Sequence, residues 1–243
     1  MNNKNIVLAF LYLFSLQTLT AQSTQVQKLD EIIVTDSRFE LKRENSGKTV
    51  VKISAEELEQ KKGQTLSEII NSKSGITING TQSVAGQTRG TYVRGGQNRQ
   101  VLVLIDGIAL SDPSQIENNF DLNLIALDQI ESIEILKGAS SALYGNRAST
   151  AVINITLKKA SKNTISKRFE SFLGTNNSQD ESSIDVADFN NAVGINGTLN
   201  KFNYLANFNH RYIDGLSAIK SDNADSKSDP FKKLNSMVKL GYQ

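Results

Sequence analysis

The residue types that most often perform covalent chemistry are scarce in this sequence. It contains no Cys and a single His, His210, which excludes a thiolate nucleophile and a disulfide framework and disfavours a histidine-rich zinc site. The segment Gly138–Ala142 (GASSA) begins like a nucleophile elbow, but Ala142 stands where that motif requires Gly. A secreted hydrolase would need His210 as the base for Ser140 or Ser141, and His210 falls on the apolar face of a predicted strand. We therefore expect no catalytic residues and no enzyme activity.

Two patterns that would indicate binding of phosphate or nucleic acid also fail. The tripeptide Gly47–Thr49 (GKT) matches the end of a phosphate-binding loop, but Lys42 replaces the first Gly that the motif requires. The chain has 27 Lys and Arg residues against 25 Asp and Glu residues, a net charge of +2. This balance is too even for a strongly basic face, so we expect no nucleic acid partner.

The N-terminus has the three-part layout of a secretory signal peptide. Residues 1–21 contain one charged residue, Lys4, then an apolar run from Ile6 to Leu16, then a polar stretch that ends in the small residue Ala21. The apolar run has only about half of the roughly 20 residues that a membrane-spanning helix needs. We expect cleavage after Ala21 and export, with a short buried helix as the alternative. Because no later segment reaches the length of such a helix, a return to a membrane would require β-strands.

The segment Leu29–Thr35 (LDEIIVT) suits the formation of a strand. Its last four residues, Ile32 to Thr35, are rich in β-branched side chains and have charged neighbours. Such a segment can pair with the edge of another sheet, where backbone hydrogen bonds supply the affinity. The first strand of the following domain is an equal alternative from the pattern alone.

Residues 46–160 carry the signals of a compact α+β domain. Two capping boxes, at Ser54–Glu57 and Thr65–Glu68, predict two short helices. Gly75 stands where a left-handed helix end is expected after the second helix. Two helices against a small mixed sheet would make an α+β domain.

Two segments of this domain read as strands. The run Val101–Gly107 (VLVLIDG) is apolar on both faces, which predicts a central strand covered on both sides. Its last two residues, Asp106-Gly107, predict a tight turn. A second strand follows a short helical turn, and its predicted inward residues are Ile130, Ile133 and Ile135.

From Ser161 onward the apolar pattern takes a period of two. In Asn203–Tyr212 the aromatic residues and His210 fall on one face, whereas asparagines and an arginine dominate the other face. Residues 195–200 and 238–242 alternate in the same way. One apolar face with aromatic residues and one polar face is typical of a transmembrane β-barrel. A soluble sandwich gives a similar alternation, so the pattern alone leaves both open.

Taken together and in order, several segments resemble the TonB-dependent outer-membrane transporters. The family order is an energy-coupling TonB box, a plug domain and a barrel. The matching segments are LDEIIVT (29–35), TLSEIINSKSGITI (65–78), TYVRGGQNRQVLVLIDGIAL (91–110) and LDQIESIEILKGASSALYGNRASTAVINI (127–155). The sequences RFE, VLVLIDG and RYIDG are most similar to cobalamin transporters, and siderophore transporters share most of these features.

The resemblance implies a domain order for the chain. The expected parts are a signal peptide at 1–21, a periplasmic tail with the TonB box at 22–45, an α+β plug domain with a small mixed sheet at 46–160, and the first antiparallel strands of an incomplete transmembrane β-barrel at 161–243. At about 10 residues per strand, the last part provides roughly four or five strands, against about 22 in the family's barrels. We therefore expect this chain to be the N-terminal part of a transporter.

The resemblance also implies residues that bind partners. The TonB box would add as a strand to the C-terminal domain of TonB, through Leu29, Asp30, Glu31, Ile32, Ile33, Val34 and Thr35. Arg94 would face carboxylates of the barrel wall, with an ordinary surface charge as the alternative. Acidic residues in a loop between two predicted strands correspond to a calcium-binding loop of cobalamin transporters, and they are Asp222, Asp225 and Asp229. A solvated acidic loop is the alternative, and no other cofactor is expected.

The implied function is uptake of a scarce small-molecule ligand, cobalamin or a ferric siderophore, across the cell outer membrane. The loops Gly80–Gly90 and Ser111–Asn119 are candidates for the ends of the plug that face the substrate. The alternative is a non-transporting surface or periplasmic binding module made of an autonomous plug domain. One departure concerns Thr150-Ala151, which stands where the family commonly has Gly-Gly. The close backbone approach that Gly allows is therefore in doubt at that corner.

Overall fold

The computed structural model describes most of the chain between residues 32 and 242. The described ranges are 32–33, 41–42, 45–80, 85–115, 117, 120–175, 186–215 and 229–242. The predicted signal peptide and most of the segment 29–35 lie outside the described residues. Within these ranges, no helix has both the length and the apolar character that crossing a membrane requires.

The described elements change from short helices and strands to longer strands after residue 165. The α-helices are α1 (Ala55–Gln60), α2 (Leu66–Asn71) and α3 (Ser141–Tyr144). Single turns of 3-10 helix lie at Asn98–Gln100, Leu122–Leu124 and Leu127–Gln129. The strands are β1 (Ile32–Ile33), β2 (Leu41–Lys42), β3 (Thr49–Ile53), β4 (Ile76–Ile78), β5 (Thr91–Val93), β6 (Val101–Ile105), β7 (Ile108–Leu110), β8 (Ile130–Lys137), β9 (Ala151–Leu157), β10 (Ser166–Gly174), β11 (Asp188–Leu199), β12 (Phe202–Ile213) and β13 (Phe231–Tyr242).

Five strands form a mixed sheet in the order β3-β8-β9-β6-β7. Strands β6 and β9 are parallel, with Val101 opposite Ala151, and the other neighbours are antiparallel. Val103 packs into the core that also buries the helices, whereas Leu102 and Leu104 pack into a second cluster on the opposite face. The prediction of a strand covered on both sides is therefore confirmed. We call the described residues from 45 to 160 the N-terminal module.

The predicted capping boxes lie at the starts of α1 and α2, but only the box at Thr65–Glu68 has both hydrogen bonds. At α1 the Glu57 carboxylate pairs with Lys61 and Lys73 instead. Thr65 Oγ1 accepts a hydrogen bond from the Glu68 backbone N–H, and the Glu68 carboxylate accepts one from the Thr65 N–H at 2.6 Å. Ser54 Oγ accepts from the Glu57 N–H at 3.3 Å. These bonds satisfy backbone donors that a helix leaves unpaired at its first turn.

Strand β8 carries the isoleucines that the sequence predicts to point inward. Ile130, Ile133 and Ile135 are each 1% exposed or less. Ile130 and Ile133 are an odd number of residues apart, so a regular strand would place them on opposite faces. The pairing with β9 shifts register between Ile130 and Ser132, and this irregularity turns both side chains to the same core.

The predicted turn between β6 and β7 is also confirmed. Asp106 and Gly107 both have positive φ, 48° and 81°, and Ile105 pairs with Ile108 across the turn. A two-residue hairpin with positive φ at both positions matches the right-handed twist of its strands. The Asp106 carboxylate also accepts a hydrogen bond from the backbone N–H of Leu157 at 2.9 Å, which ties the turn to the end of β9.

Strands β10 to β13 form a separate antiparallel sheet in chain order, which we call the C-terminal sheet. Asn200, with a φ of 55°, makes the tight connection between β11 and β12. The large apolar side chains exposed on one face of this sheet are Phe169, Leu173, Val193, Ile195, Leu199, Phe202, Phe208, Leu234, Val238, Leu240 and Tyr242. The predicted alternation is therefore confirmed.

Candidate functional site

The polar face of the C-terminal sheet lies against the N-terminal module. Strand pairing places Glu170, Asn209 and Asn235 in one row across the sheet. The rows on either side of it contain further Asn, Arg and Lys residues. Alternate residues of a strand share a face, so every second position of these strands can reach the module.

Two asparagines of this face donate hydrogen bonds to the module. The Asn209 side-chain amide donates to Asp128 Oδ1 at 3.1 Å and to Asn190 Oδ1 at 2.9 Å. The Asn235 amide donates to the backbone carbonyl of Leu124 at 2.7 Å. Asn209 and Asp128 are 2% and 7% exposed, and burial raises the pKa of the Asp128 carboxyl above its ordinary value.

Two lysines of β13 attach the same sheet at separate points. Lys233 Nζ donates to the backbone carbonyls of Asn123 and Ile125 at 2.6 and 3.5 Å. Lys239 Nζ forms an ion pair with Asp106 Oδ2 at 2.9 Å. The hairpin turn of the N-terminal module thus contacts the fourth strand of the sheet.

A glycine of the module allows the sheet to approach closely. Gly63 has a φ of +93°, and a Cβ there would lie 2.7 Å from Cε2 of Phe172. The Gly63 carbonyl accepts a bond from Arg211 at 3.5 Å. The same guanidinium pairs with Asp188 at 2.8 Å, so Arg211 joins two strands and a loop of the module.

A charged cluster joins α1 to the first strand of the sheet. The Arg168 guanidinium lies 2.8 Å from Glu59 and 2.7 Å from Glu170. Lys62 reaches Glu170 at 3.4 Å and also pairs with Glu59, while Lys158 lies 3.7 Å from Glu59. Burial opposes ionisation of Glu59, but the hydrogen bond from Lys62 and the charge of Arg168 together hold the pKa of Glu59 below its ordinary value.

A cavity of about 480 Å³ lies between the module and the C-terminal sheet. Its lining includes Arg89, Asn123 and Lys233. Arg89 is 8% exposed, and its Nε and NH1 atoms have no hydrogen-bond acceptor among the described residues. The residues 85–90 are the described end of the predicted substrate-facing loop, so part of that loop contributes to the cavity.

Arg94, the predicted contact with barrel carboxylates, lies away from this interface. Its NH2 group donates to Thr49 Oγ1 at 3.2 Å. Lys137, whose ammonium donates to the Ser74 carbonyl, is a cation near Arg94. Burial and the charge of Arg94 together lower the pKa of Lys137. In the part of the chain that the structure describes, Arg94 forms no ion pair with a carboxylate, so its partner stays a prediction.

The described part of the predicted TonB box is β1. It pairs antiparallel with β2, so that Ile33 lies opposite Leu41. Ile33 is fully buried and packs into the cluster that contains Val50 and Leu102. The sequence left open whether this segment pairs with another sheet or begins the domain, and both alternatives stay predictions. The rest of the predicted TonB box lies outside the described residues.

The predicted calcium ligands are only partly described. Asp229 lies just before β13, whereas Asp222 and Asp225 lie outside the described residues. Among the described side chains, no three or more His, Cys, Asp or Glu residues are close enough to hold a metal ion. The calcium site therefore stays a prediction.

The residues of the hydrolase hypothesis do not meet. Ser140 is 2% exposed, and its hydroxyl contacts the Gly138 carbonyl and the Lys48 ammonium, each at 3.3 Å. His210 lies on the outward face of β12, where its ring centroid is 5.2 Å from that of Phe189. The structure therefore gives Ser140 no histidine base.

Sequence reasoning missed the residues that join the two parts of the molecule. It identified the polar face of the strands but predicted none of the carboxylates that this face meets, which are Glu59, Asp106 and Asp128. Asp106 was named only as a residue of the turn. The alternation in β10 to β13 was the available signal. It indicates which residues point inward and carries no information on their partners.

The known proteins that this chain resembles are transporters and receptors. Residues 42–152 match the family model described as TonB-dependent Receptor Plug Domain. The Vitamin B12 transporter BtuB of Vibrio cholerae is 32% identical over 174 residues, which are 71% of this chain and 26% of that protein. The Rhizobactin receptor of Rhizobium meliloti is 30% identical over 142 residues, which are 57% of this chain and 18% of that protein.

Solved structures of the same kind share the fold. A mutant ferric enterobactin receptor from Pseudomonas aeruginosa, in complex with enterobactin, aligns with a TM-score of 0.55 and 28% identity over 68% of this chain and 25% of that chain. The siderophore receptor PirA from Acinetobacter baumannii aligns with a TM-score of 0.53 and 26% identity, over 68% and 24% of the two chains. The chain thus spans between 18% and 26% of the length of these relatives.

Proposed function

This chain belongs to the TonB-dependent receptors through the plug domain at residues 42–152, and from this premise we propose that it imports a scarce ligand across the outer membrane. The N-terminal module is then the plug, and the C-terminal sheet is part of the wall around it. The relatives are transporters and receptors, so the proposal includes no chemical step on the ligand.

The observation that carries this proposal is the two-sided character of the C-terminal sheet. Its polar face contacts the N-terminal module, while its apolar side chains are exposed on the opposite face. A barrel wall in a membrane needs this arrangement, with lipid outside and a polar interior.

The spacing of aromatic residues on β12 fits the thickness of a membrane. Phe202 and Tyr212 lie on the outward face near the two ends of the strand. The chain between them spans about 34 Å at roughly 3.4 Å per residue, which is about 26 Å of membrane at a barrel tilt of roughly 40°. Transmembrane barrels have an apolar band about 25 Å tall between two aromatic girdles.

For energy coupling, we propose that Leu29–Thr35 adds as a strand to the C-terminal domain of TonB. Strand addition uses backbone hydrogen bonds, and β1 has the extended backbone that it needs. Because β1 already pairs with β2 and buries Ile33, this segment would have to leave the domain before TonB could bind it.

Cobalamin and ferric siderophores are the two ligand classes that the relatives suggest. A strain that lacks the gene tests them in two media. One medium has cobalamin as the sole corrinoid, and the other has ferric enterobactin as the sole iron source. Complementation should restore growth on one ligand at low concentration. Equal growth with and without the gene on both ligands would contradict import of either.

The alternative function is a binding module that does not transport. Membrane fractionation separates the two functions, because the import proposal requires export and recovery of the protein in the outer membrane. Recovery only as a soluble periplasmic protein would favour the binding module.

A calcium site at Asp222, Asp225 and Asp229 is the remaining part of the proposal. Carboxylate oxygens are the ligands that Ca²⁺ accepts. Calcium is therefore expected to slow cleavage of residues 216–228 by trypsin, and EDTA to reverse the effect. Equal cleavage with calcium and with EDTA would rule out the site.

A further inference from the structure

Arg89 is a buried cation with hydrogen-bond donors that lack acceptors among the described residues. It is 8% exposed and lines the 480 Å³ cavity between the module and the C-terminal sheet. Its Nε and NH1 atoms are buried without an acceptor among the described residues. Leaving such donors unpaired costs free energy, because water no longer solvates them. An acceptor placed in the cavity would recover that cost.

Lys233 brings a second positive charge to the same cavity. Its ammonium donates to the carbonyl oxygens of Asn123 and Ile125, which are neutral, and an ammonium has a third donor. Asp121 is the carboxyl group whose charge is shared between Lys233 and Arg89. Asp128 also attracts Lys233, and Arg211 is a further cation near it.

The acidic residues that line the cavity have partners of their own. Asp188 pairs with Arg211, and Glu170 pairs with Arg168. The other two accept hydrogen bonds: Glu68 from the Thr65 N–H, and Asp128 from Asn209. None of these four side chains forms an ion pair with Arg89 or Lys233 in the described part of the chain.

We propose that this cavity is a subsite for an oxyanion, a carboxylate or phosphate group carried by the imported ligand and held by Arg89 and Lys233. A guanidinium presents its donors in a planar fork that matches two oxygens of such a group. The volume of about 480 Å³ lies within the roughly 300–1,000 Å³ of small-molecule sites. The identity of the anion's carrier rests on the proposed function, whereas binding of the anion does not.

Inorganic phosphate is the probe for anion binding. The purified chain is treated with an acetylating reagent at constant ionic strength, with and without phosphate, and the modification of each lysine is followed by mass spectrometry. Protection should scale as 1 + [L]/Kd, so phosphate at ten times its Kd should slow acetylation of Lys233 about tenfold. Lys239, outside the cavity lining, is the internal control and should not change.

Variants of Arg89 test the assignment of the fork. Arg89→Gln should abolish the protection of Lys233, and Arg89→Lys, which keeps the charge but loses the fork, should weaken it. The matched control is Arg99→Gln, at an exposed position of the module, which should leave protection unchanged. If phosphate does not change the acetylation rate of Lys233 in the original sequence, the subsite proposal is overturned, whether or not any variant folds.

Uptake measurements distinguish a ligand-borne anion from a free one. If the ligand carries the anion, the Arg89→Gln gene should support less growth than the Arg99→Gln gene on the ligand that restores growth. Equal growth, together with phosphate protection, would overturn the link to the ligand. Failure of the unaltered gene to support uptake, with phosphate protection intact, would count against the proposed function alone.

Discussion

Asn209 is buried by a partner on another part of the molecule. Its amide bridges Asp128 of the module and Asn190 of the neighbouring strand. Asp128 would lose this donor if the sheet moved away, and water would have to replace it. Buried polar contacts of this kind fix relative position, because each requires a particular partner at a particular distance.

The raised pKa of Asp128 predicts a dependence of stability on pH. Burial raises this pKa above its ordinary value of 3.8, so the folded state holds the proton more tightly than the unfolded chain does. The resulting stabilisation is fully present below pH 3.8 and is lost as the pH rises through the folded-state pKa. Asp128→Asn should therefore unfold at the same temperature as the original chain at low pH and at a higher temperature at neutral pH.

An exposed aspartate provides a control of opposite sign. The hydrogen bond from the Ser114 side chain lowers the pKa of Asp112, so the original chain gains stability from this group as the pH rises. Asp112→Asn lacks that gain and should therefore become less stable than the original chain as the pH rises. Thermal unfolding followed by circular dichroism across this pH range measures both variants. Parallel curves for Asp128→Asn and the original chain would contradict the assignment to Asp128.

At the level of elements, the corner between β5 and β9 depends on one small residue. A Cβ on Gly96 would overlap the side chain of Thr150. Thr150 occupies the position where the family commonly has Gly, so the space that this corner needs comes from Gly96 instead.

Substitutions at this corner test whether Gly96 leaves the space that the Thr150 side chain occupies. Gly96→Ala is expected to lower the free energy of unfolding by about 1–3 kcal/mol, because the added methyl group overlaps Thr150. Thr150→Ala in the same chain should recover part of that loss. Gly47→Ala, where a Cβ would meet nothing within 4 Å, is the control, and chemical denaturation measures all of them. Additive effects of the two corner substitutions would contradict the overlap.

Strand β1 gives a second prediction at this scale. The chain contains no Cys, so a single introduced thiol reports on one position only. Ile33→Cys should react with a maleimide about tenfold or more slowly than Lys42→Cys, because Ile33 is buried and Lys42 is exposed. Equal reaction rates would show that β1 does not stay docked on the module in solution.

The sequence predicts those elements whose signals are local. The capping box at Thr65 and the turn at Asp106-Gly107 depend on neighbouring residues, and both are confirmed. The contact between Asp106 and Lys239 joins residues 133 positions apart. No pattern within a segment encodes such a pairing, so the interface and its cavity cannot be predicted from the sequence.

For the whole molecule, the exposed face of the C-terminal sheet predicts how the free-energy cost of an introduced Arg depends on its position. Phe208 lies near the middle of the outward face, whereas Leu199 lies at the end of β11. In a membrane, Arg is expected to cost about 2–4 kcal/mol at the midplane and about 0–1 kcal/mol near an interface.

The two positions can be compared in cells. Phe208→Arg should strongly reduce recovery of the protein in the outer-membrane fraction, and Leu199→Arg should have a small effect. Quantitative immunoblotting of separated membranes measures both. Equal recovery of the two variants would indicate that lipid does not cover this face.

The distance in sequence between interface partners also has a consequence for biosynthesis. Asn209 follows Asp128 by 81 residues, and Lys233 follows Asn123 by 110. During translation, the Asp128 carboxylate and the Asn123 carbonyl are synthesised long before Asn209 and Lys233. Until those side chains exist, water must solvate these acceptors. Assembly therefore ends with a dehydration step, and contacts of such long range are formed slowly.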